Sequence, residues 1–156
     1  MVKVTKDHGF TKPGDPRRFL DLFAGRQQLI VYHLMFDPSW GAGCPLCTEY
    51  VNNLGDLKML QGCDTAFALV SRASSAKLEA YRALKGWRWP WFSSSGSDFN
   101  YDFHVTIDAT VAPATYNYRE VAADTSFEVS GYCVFLRIEG EVFHTYSTYA
   151  RRAAQG

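Results

Sequence analysis

The sequence predicts an α/β domain, with a parallel strand–helix–strand–helix layer in its first half and an antiparallel β-hairpin near its end. Three observations carry this. Two apolar runs, Gln28 to Leu34 and Thr65 to Val70, are each followed by a segment of helical period. Glu139-Gly140 separates two strand-like runs, 132–138 and 141–146, as a tight turn does. The chain has 156 residues, 47% hydrophobic and 21% charged, which fits one globular domain over residues 1–156 with a core that needs no staples.

Residues 1–18 are polar and read as irregular, with a turn at Pro13-Gly14-Asp15-Pro16; residues 1–8 and 150–156 are expected to be flexible ends. Phe19 to Phe23 reads as a short helical turn ending at Gly25. Gln28 to Leu34 is continuously apolar around His33, as a strand covered on both faces should be. Asp37 to Gly43 is a loop of breakers. The helix after it has Pro45 in its first turn and Cys47, Tyr50, Val51, Leu54 and Leu57 on one face, with Gly62 as its terminator. After the second strand, a helix over Ser75–Lys85 carries Leu78, Tyr81 and Leu84, and Gly86 closes it. Trp87 to Phe92 is aromatic and extended, with Pro90 confining it to an edge or to the sheet's end. Ser93 to Asp98 is a loop, and Asp98 and Asp102 read as turn residues. Residues 99–126 have no clear period.

Charge excludes some functions. Lys plus Arg is 16 and Asp plus Glu is 16, so no global field draws nucleic acid or anionic lipid. The longest apolar stretch, Leu29 to Phe36, is far shorter than the roughly 20 residues that span a bilayer. No basic start leads into an apolar segment, so a cytoplasmic protein with reduced thiols is expected.

The chemistry then rests on four cysteines: Cys44, Cys47, Cys63 and Cys133. Cys44-Pro45-Leu46-Cys47 stands where a strand and loop run into a helix. Unpaired amides and the dipole at a helix N-terminus favour an anion, and the thiolate is the attacking species. Cys44 is therefore the expected nucleophile and Cys47, on the apolar stripe, the resolving thiol. Cys63 and Cys133 read as small buried hydrophobes. Of the scattered histidines His8, His33, His104 and His144, the two in apolar strands, His33 and His144, read as hydrogen-bonded core imidazoles; either would tune the cysteine pair if the fold brought it near. Trp40 and Trp91 are expected to wall a substrate groove beside Cys44, with Pro45 and Arg72 in it; core packing is the alternative for the tryptophans. Tyr116, Tyr118, Tyr146 and Tyr149 would extend that groove or form a dimer face.

The order strand, loop, C-x-x-C at a helix start, strand–helix and hairpin resembles the thioredoxin fold. Leu29 to Trp40, Gly43 to Cys47, Val70 to Ala73, Gly96 to Phe103 and Val142 to Tyr149 together resemble a thioredoxin-like bacterial family of unknown function, over roughly residues 5–150. The resemblance implies the fold and no established activity. Two departures stand out. The regions flanking the match are short, which implies that the last helix of a thioredoxin fold is missing and that an uncovered sheet face favours a homodimer. Val129-Ser130-Gly131-Tyr132 also lacks the proline that a thioredoxin carries before its hairpin, where substrate backbone is held.

The expected function is thiol–disulfide exchange through Cys44 and Cys47, with a protein or small-molecule disulfide as substrate and no cofactor. The alternative is a non-catalytic protein-interaction module. Two weaker readings remain. Phe19 to Arg26 is similar to the opening of peroxiredoxins, but their Pro-x3-Thr/Ser-x2-Cys pattern is broken: Pro38 is misplaced and Gly41 takes the hydroxyl position. A metal site lacks a second pair of ligands at suitable spacing, so no metal is expected.

Overall fold

A computed structural model describes residues 1–6, 8–55, 57–103, 106–108, 115–116, 119–120, 126–128 and 130–149. The expected fraying of 150–156 and the placing of His104 and Tyr118 lie outside these residues.

The first eighteen residues are not irregular. They form β1 (Val2–Val4), β2 (Gly9–Lys12) and β3 (Asp15–Arg18). Such short strands have no room for a readable period. Gly14, at φ +69°, turns β2 into β3, and Pro16 sits on the outer strand, where a missing N–H breaks no ladder. A 3-10 helix, Phe19–Phe23, ends in left-handed Ala24 and Gly25 as the sequence predicts. Then come β4 (Gln28–His33), α1 (Pro45–Asn52), α2 (Lys58–Gly62), β5 (Thr65–Ser71), α3 (Ser75–Lys85) and β6 (Trp91–Ser93). A short α4 (Phe99–Asp102) precedes β7 (Thr106–Asp108), β8 (Thr115–Tyr116), β9 (Arg119–Glu120) and β10 (Ser126–Glu128). The chain returns in β11 (Gly131–Ile138) and β12 (Glu141–Tyr149).

Eight strands make one mixed sheet in the order β1-β12-β11-β4-β5-β6-β2-β3. β4, β5 and β6 are parallel, and the other pairings are antiparallel. β7 pairs with β10 and β8 with β9 in two separate ribbons. Alternation along the central strands sends Leu29 and Val31 of β4, and Ala68 and Val70 of β5, into a phenylalanine-rich core on one face. It sends Tyr32, with Leu34 just beyond, and Leu69 into a second core on the other face, shared with Cys47, Val51, Leu78, Trp87 and Trp91. The predicted hairpin is present, and both turn residues, Glu139 (φ +52°) and Gly140 (φ +79°), are left-handed as a two-residue turn demands.

Four expectations change. α1 stops at Asn52 because Gly55 (φ +69°) turns the chain, so Leu54 and Leu57 fall outside it. Leu84 is 76% exposed, since it lies about 120° around α3 from the buried Leu78. β6 is interior, between β5 and β2; Pro90 stands just ahead of it, where its carbonyl accepts from Leu69 N at 2.9 Å. Asp102 is an anchor rather than a turn residue: Lys6 Nζ and His8 Nε2 reach its carboxylate at 3.0 and 2.8 Å, tying the β1–β2 connection to α4. Burial works against its charge, but these partners hold the carboxyl below the usual range. Among the described residues, no helix is long and apolar enough to cross a membrane.

Candidate active site

β4 delivers the chain to its end at His33, and the Asp37–Gly43 loop turns it into α1. Asp37 Oδ1 accepts from the Ser39 amide and hydroxyl at 2.9 and 2.6 Å, closing a local turn. Burial opposes the Asp37 charge, yet the Ser39 bonds and the nearby Arg72 and Lys77 charges keep its carboxyl low. Lys77 of α3 donates to the carbonyls of Pro38 and Trp40 at 2.7 and 3.1 Å, so the loop is strapped to the next helix. Gly43 sits where a side chain would be crowded. A Cβ there would lie 3.2 Å from the Tyr81 ring and 3.3 Å from Leu34.

Cys44 is the N-cap of α1, with Pro45 behind it as the first helical residue. Its carbonyl accepts the first intrahelical bond, from Thr48 N at 2.9 Å, and a second from Thr48 Oγ1 at 2.8 Å. The amides of Leu46 and Cys47 therefore precede the helical ladder at the helix's positive end. Cys44 is partly exposed, Leu46 beside it is 76% exposed, and Cys47 is 3% exposed one turn deeper. None of the four cysteines is in a disulfide.

Met35 ties the pair together. Its carbonyl accepts from Cys44 N at 2.9 Å, and its amide donates to the Cys47 sulfur. Burial pushes the Cys47 thiol up to about 11, and the neighbouring Cys44 adds to this. Tyr32 O–H also donates to Cys47, and Tyr50 and Tyr132 close a cluster around it. Sequence reasoning placed Tyr50 on the helical stripe but missed Tyr32 and Tyr132. Only their apolar strands could have signalled them.

The remaining candidates separate. Trp40 is 39% exposed on the loop before Cys44, and Arg72 faces Asp37 there. Trp91 is no groove wall. It is 3% exposed, donates Nε1–H to Ser71 Oγ at 3.0 Å and packs on Trp87, Tyr81 and Phe36. Cys63 is exposed rather than buried, since α2 ends just before it at the surface. His33 and His144 do lie inside strands, but on the sheet face opposite Cys47, where His33 meets Cys133 and His144 bonds Ser147. A cavity of about 770 Å³ lies at the far end of α1 and α3, between Asn52, Lys85 and Trp89; neither Cys44 nor Cys47 lines it.

The fold is similar to several solved structures. Peroxidoxin BcpB from Mycobacterium tuberculosis superposes with a TM-score of 0.62 at 13% identity, over 99% of this chain and 90% of that one. A mutant of PrxQ from Xylella fastidiosa gives 0.62 at 16%, over 99% and 91%. A putative protein disulfide isomerase from Bacteroides thetaiotaomicron gives 0.50 at 15%, over 96% and 78%. No curated protein matches the chain. The architecture is thus the thioredoxin-like α/β fold that the motifs imply. The sequence profile of DUF899, described as a bacterial protein of unknown function, matches residues 1–155, and the chain belongs to that family.

Proposed function

We propose that this protein performs thiol–disulfide exchange, with Cys44 as nucleophile and Cys47 as resolving thiol. One observation supports the reading: a partly exposed cysteine stands at the N-cap of a helix, with a buried cysteine one turn below it. The Cys44 thiolate attacks a substrate disulfide, forms a mixed disulfide and releases one substrate thiolate. Cys47 then displaces the second substrate sulfur and closes a Cys44–Cys47 disulfide, which an external dithiol reopens. The substrate is a protein or small-molecule disulfide reaching the open rim at Trp40, Pro45 and Leu46.

The test is reduction of insulin disulfides by dithiothreitol. Catalytic amounts of the protein accelerate it, and Cys44→Ser removes the acceleration. A wild-type protein that leaves the rate unchanged is a non-catalytic module. The likeness to peroxidoxin BcpB and PrxQ makes hydrogen peroxide the other substrate to try. Gly41 offers no hydroxyl three residues before Cys44, so peroxide consumption is expected to stay at the level of the Cys44→Ser variant.

A further inference from the structure

We infer that the cavity at the far end of α1 and α3 binds an organic anion that carries a flat ring and two or more negative charges. This second site goes beyond the exchange reading and does not depend on it. Asn52, in the cavity lining, is the last residue of α1, whereas Cys44 caps its start, about 12 Å away along the helix axis.

The lining is charged in one sense. Arg26, just after the turn that ends the 3-10 helix, Lys58 of α2, Lys85 of α3 and Arg88, in the connection to β6, all take part in it. Among the described residues, no aspartate or glutamate does. In a chain with equal numbers of acidic and basic residues, four cations from four segments around one cavity make a local positive field. Asp64, 3.8 Å from Arg26 Nη1, offsets one of the four. Helix electrostatics account for one more. Lys85 is in the last turn of α3, where a cation complements the dipole. Lys58 opens α2, the end at which the dipole disfavours a cation, and Arg88 belongs to no helix.

The walls are aromatic and held in place. Trp87 is 7% exposed; its Nε1–H donates to Asn52 Oδ1 at 2.7 Å, and its carbonyl accepts from Arg82 Nη1 at 2.7 Å. Partly buried Trp89 meets Phe67 edge to face, with ring centroids 5.5 Å apart. Gly86, at φ +68°, and Pro90 fix the backbone at the two ends of this stretch. The volume of about 770 Å³ falls within the roughly 300–1,000 Å³ of small-molecule sites. Aromatic walls suit a ring, and guanidinium and ammonium groups suit phosphate or carboxylate oxygens through charge-assisted hydrogen bonds. An inorganic anion would leave the tryptophan walls unused, and a neutral aromatic would leave the cations unused. One molecule with both features uses the whole lining.

Isothermal titration calorimetry on the whole chain tests this with two probes. Adenosine diphosphate joins a ring to phosphates, and benzene-1,2,4-tricarboxylate joins a ring to carboxylates, so the tighter of the two identifies the anion. At least one is expected to bind with a micromolar Kd at low salt and to weaken as salt is raised. The charge-only counterparts, pyrophosphate and citrate, are expected to bind at least about tenfold more weakly than the ringed probe of their type. Lys85 and Arg88 are exposed, so the Lys85→Gln/Arg88→Gln double variant should fold as the parent does, and it is expected to lose about tenfold in affinity. Trp89→Leu is expected to lose about fivefold. The inference is overturned if neither probe binds, if pyrophosphate or citrate binds as tightly as its ringed counterpart, or if the double variant keeps the parent's affinity. None of these results bears on insulin reduction, which is read at Cys44.

Discussion

The two faces of the central sheet each hold a buried cysteine in a polar setting, and they have opposite chemical prospects. On one face Cys133 has His33 Nε2 at 3.2 Å and Ser147 Oγ at 3.1 Å, with His144 bonded to Ser147 at 2.5 Å. On the other, Cys47 has no histidine but has Tyr32, the Met35 amide and a second sulfur. A thiol beside an imidazole looks like the better nucleophile on paper. Burial reverses that order. His33 is 1% exposed, stacks on Phe99, and desolvation lowers its pKa to about 3, so it carries no charge to stabilise a thiolate. Cys133 itself is sealed at 0% exposure. Cys47 is nearly as buried, but it opens onto Cys44 at the surface. Access through a partner sulfur, rather than a basic neighbour, separates the two.

The largest expected effect tests this separation. Cys44→Ser abolishes insulin-disulfide reduction, while Cys133→Ser leaves it within about twofold. Loss of activity in Cys133→Ser, in a variant that unfolds at the parent temperature, erases the distinction between the faces. A second contrast is kinetic. At pH 7 a thiol at about 11 is ionised in roughly one molecule in ten thousand. Iodoacetamide followed by peptide mass spectrometry should label Cys44 and the exposed Cys63 at least about a hundredfold faster than Cys47, and Cys133 slowest. Equal, slow labelling of Cys44 and Cys47 removes the asymmetry on which exchange depends.

The histidine face answers to pH through stability. His33 binds its proton at about 3 when folded and at an ordinary 6.5 when unfolded. Between those values the unfolded chain holds more protons, so stability falls as pH falls through 6.5 and continues to fall toward 3. From pH 7 to pH 5 this single group removes about 2 kcal/mol. Denaturant unfolding at the two pH values should show that loss in the parent and a loss smaller by about that much in His33→Phe. An unchanged pH difference in the variant means that His33 does not hold the sheet face in its neutral form.

How much of this was legible follows from element length and from which contacts are local. α3 could be read to the residue, because Ser74 caps it through the Lys77 amide and Gly86, at φ +68°, ends it. The hairpin was legible for the same reason: its turn is two residues with fixed conformations. β1, β2 and β3 were not, since three- and four-residue edge strands take their identity from partners such as His144 and Ser93, far along the chain. At the site, Cys44 and Cys47 were visible because their spacing and the helix start are local. Trp91 misled because closeness to an aromatic run says nothing of which face a strand presents. Tyr32 and Tyr132 were invisible because only the β4–β11 register brings them together.

The smallest effect compares two glycines in the loop that presents Cys44. A Cβ on Gly41 meets nothing within 4 Å, whereas one on Gly43 would press on Tyr81 at 3.2 Å, Leu34 at 3.3 Å and Phe36 at 3.4 Å. These neighbours are aromatic and branched side chains packed in or against the second core, so they cannot simply swing away. Gly43→Ala should cost about 1 kcal/mol, the lower end for overpacking, and Gly41→Ala close to nothing. Because the strain falls on the residue just before the helix cap, Gly43→Ala should also slow the first thiolate released from Ellman's reagent, an aromatic disulfide that Cys44 attacks first, more than the second, which Cys47 releases when it closes the ring. Thermal unfolding and the two-phase release, measured on both variants, separate crowding at the cap from a change at the inner sulfur. Equal melting temperatures for the two alanine variants mean that the loop is not pressed onto α3 and that Cys44 owes its placement to the Met35 carbonyl alone.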